Sequence, residues 1–109
     1  MRRMRADVIA EIKTARNEAR IKVNAYRHLT AKRYDYWRAI AAIAVYHKTL
    51  AMFEQGTEHK IPDMAVEAIA EFESARDDER PEMNLAVADG RRDALASVAD
   101  WMTTKEDNR

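Results

Sequence analysis

Apolar residues recur every three or four positions along the first half of the chain: Val8, Ile12, Ala15 and Ala19, then Tyr26, Leu29, Tyr36, Ile40, Ile43 and Leu50. That spacing is the signature of one face of an α-helix, with Lys22, Arg33 and His47 at the imperfect positions. No glycine or proline interrupts Met1 to Gln55, and helix formers dominate the stretch. The pattern predicts a first helix over about residues 3–55, closed by Gly56, which can take the left-handed conformation that follows a last helical turn. A break near Asn24 or Thr30 is the competing reading, because either residue can cap a helix start. Arg27 and Arg33 stand where a capping box wants Glu or Gln, and that favours continuity.

Pro62, followed by Asp63, opens a second helix over about residues 62–80: proline is pre-set for the first helical position and an acid suits the positive helix end. Its inner face reads Ala65, Ala68, Ile69, Phe72 and Ala75. Pro81 ends that helix and opens a third, over about residues 82–104, whose shared face is Leu85, Ala88, Leu95, Ala99 and Met102. Gly90 lies inside it as a weak point, costing about 1 kcal/mol against alanine. The polar tail after Thr104 is expected to fray.

A continuous first helix would be about 80 Å long at about 1.5 Å per residue, and the two shorter helices folded back as a hairpin would cover about half of it. The expected architecture is therefore all-α. Residues 1–109 form a single helical domain, a long N-terminal helix packed against a helical hairpin, with a second copy covering the rest of the apolar stripe in an isologous homodimer. A kinked first helix would let a monomer suffice.

Composition supports the helical reading and removes several classes. Two glycines and two prolines are too few for a turn-rich fold. With 47% hydrophobic and 35% charged residues the chain is too apolar for disorder and too charged for a membrane protein, and no window offers about twenty apolar residues. Cysteine is absent, which excludes disulfides, zinc-thiolate sites and thiol chemistry. The opening MRRMRADVIAEI lacks the apolar stretch of a signal peptide, and Asp7 and Glu11 interrupt the basic run of a transit peptide. A cytoplasmic location is expected.

The net charge of zero conceals a split. Residues 1–38 carry eleven Lys and Arg against four Asp and Glu, a balance of +7, and the remainder carries −7. Such a division suits either a charged partner or two halves that attract each other.

Catalytic chemistry has little to stand on. His28, His47 and His59 show no metal-ligand spacing, and no serine or threonine sits in a nucleophile elbow. Gly56 and Gly90 stand alone, so no glycine-rich loop cradles a phosphate. The carboxylates strung between Glu67 and Glu82 match a solvated helix face better than a catalytic pair held in a cleft. No enzyme activity, cofactor or metal is expected.

Recognition has more to draw on. Tyr34, Tyr36 and Trp37 cluster among Lys32, Arg33 and Arg38. Such a patch can face the core, anchor a protein interface or stack on bases. Glu67, Glu71, Asp77, Asp78, Glu79 and Glu82 can imitate the phosphate row of DNA and enter a positive channel, with Tyr34 and Trp37 as anchors. Alternatively Arg2, Arg3, Arg5, Arg16, Arg20, Arg27 and Arg33 lie along phosphates, although their charges spread around the helix.

Asn24-Ala25-Tyr26, then Trp37, then Ile61-Pro62, with Glu58 also aligning, resembles the phage lambda Gam family, inhibitors of the host RecBCD nuclease, which carries an Asn-Ala-Tyr, a Trp and a Leu-Pro at the same separations. The similarity covers about residues 24–62. It implies a helical dimer that blocks a DNA-processing enzyme by occupying its DNA-binding site. The expected function is thus a non-enzymatic, protein-binding inhibitor of a host DNA-processing or defence nuclease complex, of phage or mobile-element type and acting in the host cytoplasm. The alternatives are a nucleic-acid-binding accessory protein using the basic N-terminal helix, and a structural or assembly module.

Overall fold

The computed structural model describes residues 5–103, which contain four α-helices and no strand: α1 (Arg5–Tyr26), α2 (Arg33–Gln55), α3 (Ile61–Asp77) and α4 (Glu82–Thr103). None of these helices is long and apolar enough to cross a membrane.

The first helix does not run from residue 3 to residue 55. It stops at Tyr26, and Leu29 adopts an extended conformation with φ −100° and ψ 105°. A short 3-10 turn at Thr30–Lys32 then leads into α2. The break needs no capping side chain, which is why the missing capping box did not preserve continuity. Backbone groups close it instead, the Leu29 N–H donating to the Tyr26 carbonyl at 3.0 Å and the Lys32 N–H to the Leu29 carbonyl at 2.9 Å. Reversal costs about one turn of helical hydrogen bonds and brings two apolar faces together, each buried aliphatic side chain contributing about 1.5–3 kcal/mol.

The chain now shields its own stripe: Val8, Ile12, Ala19 and Val23 of α1 are buried. The longest dimension is 43 Å, against the roughly 80 Å expected of a rod. With the stripe covered within one chain, no second copy is needed to shield it.

The other helix boundaries lie close to expectation. Gly56 ends α2 at φ 75°, and the Thr57 N–H reaches back to the Met52 carbonyl at 2.9 Å. Pro62 lies in the first turn of α3. That helix ends at Asp77, earlier than residue 80. Glu79 takes the left-handed conformation at φ 52°, while the Glu79 and Arg80 N–H groups close onto the carbonyls of Arg76 and Ala75. This is the Schellman arrangement, in which glycine is the usual left-handed residue. Helix α4 begins at Glu82 and is described to Thr103, so the predicted end at residue 104 and the frayed tail lie outside the described residues.

Helices α2 and α4 form the central pair. They run parallel, since Tyr34 meets Asp89 and Tyr46 stacks on Trp101. Helix α1 packs antiparallel on α2, α3 packs on α4, and α1 touches α4 only lightly. Ile12, Ile61, Leu95 and Val98 are fully buried where the helices converge.

The inner faces correct the periodic reading in two places. On α2 the buried positions include Ala39, Ala41, Val45, Thr49, Met52 and Phe53, while Ile40, Ile43 and Leu50 are half-buried and Leu29 is exposed. On α3, Ala65, Ala68 and Ala75 are buried as expected, but Ile69 is 41% exposed. Each helix was rotated by the neighbour it met, and one sequence stripe cannot specify which neighbour that is.

Candidate functional site

Carboxylates occupy two different settings, one internal and one external. The internal set bridges α2 and α4. The Tyr34 hydroxyl donates to Asp89 Oδ2 at 2.7 Å, and Arg38 Nε lies 3.3 Å from the same oxygen. Arg92 Nη2 donates to Asp89 Oδ1 at 2.6 Å and Arg92 Nε to Asp93 Oδ1 at 3.2 Å, while Arg38 also pairs with Asp93. The Arg92 guanidinium sits 3.9 Å from the centre of the Phe72 ring, which ties α3 into the same cluster. The Asp89 side chain is only 13% exposed, and three donors share its charge.

Burial and the bond to Asp89 push the Tyr34 hydroxyl up to about 12; the negative charge of Asp89 acts in the same direction, and Arg38 and Arg92 oppose it. Burial raises Tyr46 as well, with Arg38 opposing and Glu18 adding to the rise.

Gly90 explains why this cluster closes. A methyl on its Cα would overlap the Arg38 carbonyl oxygen and lie 3.0 Å from the Ala41 Cβ. The glycine is the point of closest approach between α2 and α4, a role that outweighs its helical cost.

The external set lines α3 and continues through the turn after it to the first residue of α4. Glu67, Glu71, Asp77, Asp78, Glu79 and Glu82 are all exposed, as are Asp63 and Glu73. Glu71 pairs with Arg91 at 3.3 Å, Asp77 with Arg76 at 3.8 Å and Asp78 with Arg80 at 3.5 Å. Among the described residues, Asp63, Glu67, Glu73, Glu79 and Glu82 make no ion pair. Residues 61–82 hold eight acids against two bases, a balance of −6. Val66 is 67% exposed in the middle of this face.

Tyr34 and Trp37 do not join that surface. Both stand on α2, separated from α3 by α4; Tyr34 spends its hydroxyl on Asp89, and Trp37 is half-buried with its ring edge-on to Tyr36 at 5.2 Å.

The basic residues divide. Arg2 and Arg3 lie outside the described residues. Arg5 pairs with Glu58 at 2.9 Å, donates to the Phe53 carbonyl and covers the Phe53 ring. Arg27 and Arg33 are exposed at the reversal between α1 and α2. Lys13, Arg16 and Arg20 recur at helical spacing on one edge of α1, where Arg20 Nη2 lies 3.2 Å from His47 Nε2. Lys13, Arg16 and His47 line an α1–α2 groove of about 530 Å³ whose floor includes Ile9, Leu50 and Phe53. The charges of α1 are thus partly sorted, since Glu18 and Lys22 face a separate cleft of about 750 Å³ lined by α1, α2 and α4.

Sequence reasoning identified the acidic helix but missed the Asp89–Arg38–Arg92 cluster and the role of Gly90. Its only signal was the grouping of Asp89, Arg92 and Asp93 around a glycine. No group of three or more potential ligands is placed to hold a metal among the described residues. No family model, curated protein or solved structure matches the chain.

Proposed function

We propose that this chain is a non-enzymatic, protein-binding inhibitor that presents the outer face of α3 to the cationic channel of a host DNA-processing or defence nuclease. The observation that carries the reading is the row of exposed carboxylates from Asp63 on α3 to Glu82 at the start of α4, five of them, three on α3 itself, without an ion-pair partner among the described residues. Neighbouring acids such as Asp63 and Glu67, or Glu73 and Asp77, are separated by about 6 Å along the helix axis. A rigid rod carrying charge at that interval presents a positive channel with the repeated negative charge by which DNA itself is attracted.

Glu79 adds a second argument. It occupies a left-handed position where glycine is usual, so an acid stands there at a conformational cost of about 1–2 kcal/mol. Strain retained at a surface position points to use of the side chain.

The nuclease as partner, and the phage or mobile-element setting, rest on the Gam resemblance carried by Asn24-Ala25-Tyr26, Trp37 and Ile61-Pro62. The alternative, in which the basic residues bind nucleic acid, has fewer free groups to use, because Arg5 is committed to Glu58 and Phe53 and Arg20 meets His47.

The test is capture from a bacterial lysate with a tagged chain, followed by an assay of the captured nuclease on DNA. Wild-type protein should block cleavage in competition with DNA. A triple variant, Asp77→Lys, Asp78→Lys and Glu79→Lys, should lose both capture and inhibition while keeping its helical circular dichroism. Identical capture by the folded triple variant would sink the reading. Direct DNA binding that weakens steeply with salt would favour the nucleic-acid alternative.

A further inference from the structure

We infer that a second copy of this chain seats its α3 in the α1–α2 groove of the first, so that copies join head to tail. The groove is an open trough with an apolar floor, Ile9, Leu50 and Phe53, and a cationic rim, Lys13, Arg16 and His47. Arg20 reinforces that rim through its contact with His47, and Glu54 is the only carboxylate in the lining. Arg16 Nε is buried with no hydrogen-bond partner, an orphaned donor that an incoming carboxylate would satisfy.

The complementary surface is on the same chain. Pro62, Val66 and Ile69 stand at positions i, i+4 and i+7 of α3, and Val66 and Ile69 are 67% and 41% exposed. Asp63 and Glu67 run along one side of that ridge and Glu73 continues its line, all without ion-pair partners among the described residues. An apolar ridge bordered by acids fits an apolar trough with a basic rim, the helix-in-groove mode of recognition.

The two surfaces do not meet within one molecule, because α1 and α3 stand at opposite ends of the packing order α1–α2–α4–α3. A formal net charge of zero means that copies approach without overall repulsion. Since the contact joins two unlike faces, each pairing leaves one groove and one α3 unused, and growth continues into rings or filaments. The same α3 face serves the inhibitory reading, so a target enzyme and a second copy compete for it.

Sedimentation velocity of the purified full chain over a concentration series tests the pairing without any other protein, so its outcome is independent of nuclease inhibition. At about 0.1 M ionic strength the mass should rise past that of a dimer, and at about 1 M, where screening shortens from about 10 Å to about 3 Å, it should return to monomer. The double variants Lys13→Glu/Arg16→Glu and Glu67→Lys/Glu73→Lys should each stay monomeric alone. Mixed in equal amounts they should assemble again, since the native acidic α3 of one meets the native basic groove of the other, and the reversed groove and reversed α3 are complementary as well. Circular dichroism verifies folding, and the single variants Lys13→Glu and Glu67→Lys repeat the mixing if a double variant unfolds. A wild-type chain that stays monomeric throughout, a salt-insensitive two-fold dimer, or mixed variants that remain separate would each overturn the inference.

Discussion

The seam between α2 and α4 and the outer face of α3 use the same acidic residue types for opposite ends. In the seam, Asp89 and Asp93 are shared among Tyr34, Arg38 and Arg92 at short range and partly shielded from water. On α3, Asp63, Glu67 and Glu73 stand in solvent with no ion-pair partner among the described residues. A carboxylate with several donors at low exposure holds helices together, because removing it strands the donors. A carboxylate in water contributes little to the fold and remains available to a visitor.

The largest effect that would break this contrast is at Gly90. Helix propensity alone predicts that Gly90→Ala stabilises by about 1 kcal/mol. The overlap with the Arg38 carbonyl predicts the opposite sign, a loss of about 2–3 kcal/mol, because the helices must separate or shift. Urea unfolding decides between the two, and a gain in stability would show that the seam is not tight.

Asp89→Ala comes next, with an expected loss of about 2 kcal/mol as Tyr34, Arg38 and Arg92 lose their common acceptor. Asp89→Asn should recover part of it.

The Tyr34 hydroxyl provides a pH handle on the same cluster. Its value is raised in the folded state to about 12 from an ordinary 10, so the unfolded chain releases the proton first as pH rises. The stabilisation is complete below about pH 10 and drains away between about pH 10 and 12. Burial of Tyr46 acts in the same direction. In denaturation curves taken across that window, Tyr34→Phe should show a flatter decline than wild type; an unchanged slope would mean that burial and Asp89 together do not hold the Tyr34 proton in the folded chain.

On the α3 side the effects shrink. Glu79→Gly should stabilise by about 1 kcal/mol through relief of the left-handed conformation, while weakening partner binding. Glu67→Gln and Glu73→Gln should leave the thermal midpoint where it is. A clear drop would mean that these acids support the fold and are not a presented surface.

The helical class, the stop at Gly56, the opening of α3 near Pro62 and of α4 after Pro81, and the acidic character of α3 were legible in the chain, since each depends on residues close in sequence. The reversal at residues 27–32 was legible only as the competing break near Thr30, and not for the reason Thr30 suggested: its closure uses backbone groups, with no capping side chain. The exposure of Ile69 was hidden, because Ala65, Ala68 and Ala75 satisfy the same period without it.

What the chain determines unaided is local: backbone propensity, the turn residues and the sign of charge along each helix. Which helices become neighbours is a matter of tertiary packing, and from that follow the parallel α2–α4 pair, the need for a glycine at position 90 and the sorting of carboxylates into internal and external sets. The physical reason is range. Propensity acts over a few residues, whereas Tyr34 and Asp89 are 55 positions apart and meet only after every helix has found its partner.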